Sequence, residues 1–481
     1  MSRFLPPTWP AMATLSVLAG ALMATSALGA TPQTSVPTSL APKAPQSLAA
    51  SQSLTAPQGA WPGDGWWQAY GDAQLSALIA EGLKGATDLR VAEARYAGAM
   101  AQVSEVRGGT LPSLTASASA GNAKQSYNYL FPAAFAPKGW RETGLATLSL
   151  NWEVDFWGKA RASLRAAHAE TSASAAEAAA ARLAVSTGIA AAYADLAGLY
   201  AEQDAANDAA KIRARTLALI EQRRDQGLEN DGAVARARAN LASEQGDLAG
   251  VDEQIALARH RLAALMGAGP DRGLSIARPA VTGLASPGLP SDIPAQLLGR
   301  RPDVVAARAH AESYAQQIRI AQAAFYPNIN LSAVIGLQSL GLSNLTKSGS
   351  DYGQVGPAIN LPIFNGGQLR ARKRGAEANY AAAVAQYDGT LVHALNEIAD
   401  ATTSRRELTR RLASAQEAES AAQAAWTVAN NRYRGGLATV LDVLVAEDSL
   451  IAARRATAAL KTRAFALDVA LVRALGGGFQ A

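Results

Sequence analysis

The sequence predicts a mainly α-helical chain that carries a small amount of membrane β-structure: four strands contributed to a shared barrel, and long coiled-coil-like helices below it. Three observations predict this. The chain repeats itself, with one half matching the other at a fixed offset. Each half holds a proline-free stretch far longer than an ordinary bundle helix. Four segments near ten residues alternate between apolar and polar side chains, the period of a strand with two unlike faces.

The duplication comes first because it organises the rest. At an offset of 209, Asn151 falls on Asn360, Gly158 on Gly367, Arg161 on Arg370, Gly227 on Gly436, Leu228 on Leu437 and Gly267 on Gly476. Upstream the offset is 215, pairing Gln102 with Gln317 and Pro112 with Pro327, so a six-residue loop difference separates the two registers. Alanine matches carry little weight in so Ala-rich a chain. The matched Gly, Pro and Asn identify a tandem repeat.

Residues 1–29 read as a secretory signal peptide, with a basic start at Arg3, an uncharged run from Ala11 to Leu28, and small residues Ala27 and Gly29 before Ala30. Residues 30–60 are a Pro, Ser, Thr and Ala leader without periodicity. The first repeat is expected over 61–267: a helix, strands at about 112–121 and 144–156, and long helices over 158–225 and 231–266. A Gly/Pro-rich connector spans 268–300. The second repeat, 301–476, has a helix, strands at about 328–339 and 352–363, and long helices over 367–433 and 438–475, with 477–481 as a tail.

The strands place Leu148, Leu150 and Trp152 against Thr147, Ser149 and Asn151 on alternate sides, and Ile329, Leu331, Ala333 and Ile335 against Asn328, Asn330 and Ser332. Aromatics at their ends (Trp152, Phe156, Trp157, Tyr326 and Tyr352) and the near absence of Lys and Arg within them suit a transmembrane strand. The helices show apolar stripes at Val185, Ile189, Tyr193, Leu196 and Tyr200, at Val384, Tyr387, Leu391, Leu395 and Ile398, and at Leu460, Ala464, Leu467, Leu471 and Leu475. Past the signal segment no run of 18 consecutive apolar residues occurs, so no transmembrane helix is expected.

Composition excludes much else. A formal charge of +5 on 481 residues is too small a surplus to indicate nucleic-acid binding. There is no cysteine, which excludes disulfides, zinc-thiolate and iron–sulfur sites and an acylated cysteine as lipid anchor. His168, His260, His310 and His393 form no metal-ligand pair, and no phosphate loop or nucleophile elbow is present. No enzyme, cofactor or metal is expected. Four strands cannot close a barrel in lipid, because an unpaired edge is not tolerated there. Three copies would supply twelve strands around a polar, water-filled interior, whereas two would give a barrel plugged by side chains.

Five motifs then carry a resemblance: Trp152-Glu153-Val154-Asp155-Phe156-Trp157-Gly158, Leu297-Leu298-Gly299-Arg300-Arg301-Pro302-Asp303, Ala324-Phe325-Tyr326-Pro327, Leu361-Pro362-Ile363-Phe364-Asn365-Gly366-Gly367 and Ala474-Leu475-Gly476-Gly477-Gly478. From Trp61 onward the chain resembles the outer membrane factors of tripartite efflux systems, the TolC and OprM group, in its NodT-type branch. The resemblance implies a homotrimer in the outer membrane with a twelve-stranded β-barrel and a periplasmic α-barrel. Through it an inner-membrane pump, joined by a periplasmic adaptor, would discharge small toxic compounds. It further implies that the turns at Gly227-Leu228 and Gly436-Leu437 receive the adaptor, and that Asp442, Tyr433 and Arg432 lie at the constricted entrance. Ordinary helix stops, a dipole partner and packing are the alternative roles of these residues. Where the family often carries a second acid after the first, this chain has Val445, which weakens any cation site. A conduit for protein secretion and a structural periplasmic coiled-coil protein are the competing readings.

Overall fold

The structure is a computed structural model describing residues 48, 52–54, 58–128, 134–281, 289–290 and 293–481. The signal peptide and most of the leader lie outside the described residues. A short 3-10 helix, Trp66–Tyr70, precedes α1 (Ala73–Gly85) and α2 (Thr87–Gly108). Strands β1 (Ser113–Ala123) and β2 (Arg141–Glu153) follow, then α3 (Lys159–Asp225), α4 (Asp231–Leu265) and the single turn α5 (Asp271–Leu274). The second half runs α6 (Ile293–Arg300), α7 (Pro302–Ala323), β3 (Asn328–Leu340), β4 (Asp351–Asn360), α8 (Gln368–Arg434) and α9 (Val440–Ala474).

The long helices α3 and α8 each hold 67 residues, on the order of 100 Å at about 1.5 Å per residue. Such rods need lateral support along their length. α3 packs against α2, α4, α7 and α9, and α8 against α7 and α9. The expected seams on α3 and α8 are buried: Ile189, Tyr193 and Leu196 meet Leu75, Ile79, Leu262 and Phe465, while Tyr387, Leu391 and Ile398 meet Leu297, Val304 and Leu471. The α9 seam follows the sequence reading only at its C-terminal end, where Leu471 and Leu475 are buried; Leu460, Ala464 and Leu467 are half-buried, and there the buried line passes through Thr457, Phe465, Asp468 and Val469, because α9 lies between α3 and α8 and covers two neighbours at once.

One 18-residue stretch of α3 is long and apolar enough, by length and composition, to cross a membrane. This corrects the expectation of no such helix. The stretch is apolar through alanine rather than large side chains, and 56% of it is buried against the neighbouring helices, as in the core of a bundle.

The repeat is visible in three dimensions. A Cβ on Gly267 would come within 2.3 Å of the Gly85 carbonyl oxygen, and one on Gly476 within 2.0 Å of the Arg300 carbonyl oxygen. Both pairs follow the sequence offsets, so each half closes its long hairpin by the same backbone-to-backbone approach, which only glycine permits.

The strands form one antiparallel sheet in the order β1-β2-β3-β4. β2 starts at Arg141 and ends at Glu153, earlier than the alternation suggested. Val154 still donates its amide to the Ile329 carbonyl at 2.9 Å, but Asp155 turns away to accept the amides of Ala160 and Arg161 at 2.9 and 3.0 Å, starting α3. β4 runs from Asp351 to Asn360, a residue earlier at its start and three earlier at its end than the alternation suggested, and as an outer strand it tolerates Pro357, which pairs with Leu331, in its interior.

Candidate functional site

Two regions bring the sequence-selected residues together: the helical tips and the sheet with its aromatic rim.

At the tips, α3 and α8 each end in a left-handed glycine, Gly227 at φ 72° and Gly436 at φ 75°. Leu228 donates its amide to the Arg223 carbonyl at 2.9 Å and Gly227 to that of Arg224 at 2.8 Å. Leu437 and Gly436 do the same to Arg432 and Tyr433, at 2.8 and 3.0 Å. These paired bonds satisfy the terminal carbonyls and reverse the chain within a few residues. The following helices are capped by Asn230, which accepts the Ala233 amide at 2.9 Å, and by Thr439. Leu228 and Leu437 remain 58% and 72% exposed, with no wall of the chain against them.

Tyr433 is the anchor between the two turns. Its ring is 1% exposed and packs among Ile220, Ala233, Val234 and Val443. Its hydroxyl donates to Glu229 Oε1 at 2.9 Å. The Arg223 guanidinium lies 4.6 Å from the ring centroid and donates to the Tyr433 carbonyl at 3.1 Å. Burial, and then the bond to Glu229, push the phenol well above its ordinary range. Arg432 instead serves its own turn, donating to the Leu437 carbonyl at 3.2 Å.

Asp442 is exposed and forms a capping box with Thr439: its Oδ2 accepts the Thr439 amide and hydroxyl, both at 2.8 Å. The Thr439 amide, then its hydroxyl, hold the carboxyl below the usual range, and the charge of Arg432 acts in the same direction. Along the same tip Leu441 and Val445 are exposed. Farther up, Arg213 and Thr216 of α3 clasp the fully buried Glu447 of α9, and Arg213 also pairs with Asp448. This polar tie joins the two helix pairs through their length.

In the sheet the register sorts side chains into two faces. Leu114, Leu150, Ala333 and Val355 form one cross-strand row, and Ala116, Leu148, Ile335 and Gly353 the next. The opposite face carries Thr115, Ser149, Val334 and Gln354, then Ser113, Asn151, Ser332 and Gly356. Both outer strands, β1 and β4, are exposed on their faces, and each has a free edge. Strands of 10 to 13 residues span about 25–33 Å once tilted.

The aromatics divide. Trp152 belongs to the apolar face, opposite Leu331, and donates its indole to the Thr110 carbonyl at 3.1 Å. Below it Phe156 meets Trp157 edge-on at 4.8 Å, and Trp157 stacks on Tyr326 at 4.6 Å while donating to the Pro327 carbonyl at 2.8 Å. These four collect where strands give way to helices. Tyr352 lies apart, at the far end of the sheet and opposite Gly336 on the polar face. At that far end Trp140 and Phe135 are further exposed aromatics, and sequence reasoning missed them because they fall in a loop outside any alternating pattern.

Residues 78–268 and 293–477 match the family described as outer membrane efflux protein. The chain belongs to that family. Among curated relatives of this efflux protein, the fusaric acid resistance protein FusA of Burkholderia cepacia is 35% identical over 325 residues, 66% of this chain and 60% of its own length. The chain thus matches less than two thirds of that relative. The pyoverdine export outer membrane protein OpmQ of Pseudomonas aeruginosa is 29% identical over 86% of this chain and 87% of its own. Among solved structures, the outer membrane protein VceC of Vibrio cholerae superposes with a TM-score of 0.82 at 48% identity, covering 87% of this chain and all of that one. The outer-membrane channel OprN gives 0.82 at 30% identity, covering 92% and 98%. The fold of this chain is therefore that of the outer membrane channels, and its family is one of channels rather than enzymes.

Glu229 and Arg223, which hold Tyr433, were not singled out in the sequence. The signal was available for one of them: Arg223 is the repeat partner of Arg432.

Proposed function

We propose that three copies of this chain assemble into a passive outer membrane conduit, closing a twelve-stranded barrel above a tube of long helices, and that the conduit discharges small toxic compounds delivered by an inner-membrane pump and its periplasmic adaptor. One observation carries the reading. The sheet has an apolar face, a polar face and two free edges, a construction that is stable in lipid only when β4 of one copy pairs with β1 of the next. The polar rows then line water, and Trp152, Phe156, Trp157 and Tyr326 mark the periplasmic boundary of the membrane.

Within this assembly the exposed Leu228 and Leu437 are the apolar points on which an adaptor tip docks, widened by Leu441 and Val445. The Tyr433–Glu229–Arg223 contact is the lock that keeps the second hairpin against the first, and so the entrance narrow. Arg432 shapes the turn beside it. Asp442 acts as a helix cap, its carboxylate occupied by Thr439, rather than as a cation ligand. The family's efflux names support a small-molecule cargo. Conductance of the purified protein in planar bilayers tests the proposal. Discrete channel steps, larger after the lock is cut, are expected; a protein that inserts as a trimer yet never conducts in any variant would overturn it.

A further inference from the structure

Just below the aromatic boundary the chain concentrates positive charge. Residues 153–165, 316–326 and 365–377 contain Lys159, Arg161, Arg165, Arg319, Arg370, Arg372, Lys373 and Arg374 against Glu153, Asp155 and Glu377, a local surplus as large as the formal charge of the whole chain. Cations at a helix start oppose its dipole; at α3 the Asp155 carboxylate on the Ala160 and Arg161 amides offsets this, whereas α8 begins without an acidic residue in its first turn. Both halves place their cations alike, with arginines three and seven residues after a left-handed glycine: Arg161 and Arg165 after Gly158, Arg370 and Arg374 after Gly367.

Part of this charge surrounds a cleft of about 690 Å³ between α3, α7 and α8, lined by Arg161, Arg165, Arg319 and Lys373 and by Trp157 and Tyr326. Arg161 is paired with Asp155 at 2.9 Å and Lys373 with Glu377 at 3.1 Å. Arg165 donates only to the neutral Gln316, and Arg319 has no carboxylate within ion-pair distance among the described residues. Two exposed guanidinium groups thus face a cleft whose floor is an aromatic stack, at the level where strand becomes helix.

We propose that this cleft binds the phosphate headgroup of an anionic phospholipid from the periplasmic leaflet, with Arg165 and Arg319 on the phosphate oxygens and the lipid's apolar part against the Trp157–Tyr326 stack. The inference rests on the membrane placement of the sheet. Guanidinium forks suit phosphate oxygens, and Trp157 and Tyr326 give the same cleft an apolar wall where the strands give way to helices. The bound headgroup adds negative charge beside Arg165 and Arg319, which no carboxylate neutralises among the described residues, and fixes the height of the barrel.

The test uses the full-length trimer reconstituted in phosphatidylcholine vesicles, with and without about one fifth phosphatidylglycerol, followed by gentle extraction and quantification of the lipid retained per trimer. Enrichment of phosphatidylglycerol over its bulk share is expected on the wild type. The double variant Arg165→Ala/Arg319→Ala should lower that enrichment by roughly five-fold for each side chain removed, and Arg165→Lys/Arg319→Lys should keep most of it. Equal retention by wild type and the alanine variant, or no preference over phosphatidylcholine, overturns the proposal. So does complete displacement of the lipid by millimolar inorganic phosphate, which would make the cleft a free-anion site. A wild type that conducts but shows no lipid preference sinks this inference alone, while one that neither inserts nor conducts sinks the channel reading with it.

Discussion

Replacing Tyr433 with Phe isolates the lock at the tips. The ring stays, so the packing against Ile220, Val234 and Val443 and the guanidinium of Arg223 over its face are retained; only the hydroxyl bond to Glu229 Oε1, 2.9 Å long, is lost. A hydrogen bond to a charged acceptor contributes about 1.5–3 kcal/mol, and the half-exposed Glu229 carboxylate places this one at the lower end. About 1.5 kcal/mol corresponds to roughly a ten-fold change in the ratio of closed to open entrance. Single-channel recording reads that ratio directly as open probability. Arg223→Ala, which removes the 3.1 Å bond to the Tyr433 carbonyl as well as the ring contact, should raise it further. A Tyr433→Phe trimer with wild-type open probability, in a preparation where Arg223→Ala is also silent, would show that this contact holds no gate.

Other outcomes follow from the same geometry. Ile335→Arg and Val334→Arg change neighbouring residues on opposite faces of β3; the first should cost about 2–4 kcal/mol of membrane stability and abolish insertion, whereas the second should insert and alter conductance or ion selectivity. Gly476→Ala places a Cβ 2.0 Å from the Arg300 carbonyl oxygen at a φ of 88° and should reduce the yield of heat-resistant trimer on gels, as a strained backbone clash of more than about 2 kcal/mol predicts. Asp468 is buried on α9, and burial pushes its carboxyl from 3.8 up to about 6, only partly offset by Arg405. Between those values the folded chain keeps a proton that the unfolded chain releases, so stability declines as pH rises from about 4 through 6, by up to about 3 kcal/mol per protomer. Asp468→Asn should flatten that decline in thermal midpoints taken between pH 4.5 and 7.5.

Much of the architecture was legible because it is periodic. Strand alternation, the α3 and α8 seams and the glycine turns are local patterns, and each followed from residue spacing alone. What escaped was set by tertiary company. The α9 seam shifted because two neighbours, not one, decide which of its sides is buried. β2 ended early because Asp155 finds the amides of Ala160 and Arg161, an event that hydropathy does not register. Tyr352 is aromatic and near a strand end, as its grouping with Trp152 required, yet the pairing register puts it on the polar face; sequence gives the period of a strand but not which end meets which boundary.

The two tips show how a duplicated backbone acquires different jobs. Both turns use the same paired amide bonds and the same exposed leucine, so the scaffold and the apolar points for a partner are repeated. The side chains are not. Arg223, in the first half, reaches across to the Tyr433 carbonyl, while its repeat partner Arg432 turns back to Leu437 in its own loop. Tyr433 corresponds to Arg224, which only pairs with its neighbour Asp225 in solvent, and Glu229, the acceptor of the phenol, corresponds to Ala438. Every polar link of the lock thus runs from a first-half residue to Tyr433 of the second half. If this contact holds the entrance as proposed, Ala438→Glu, which offers an acid at the second turn without a phenol to bind it, should leave the open probability at its wild-type value.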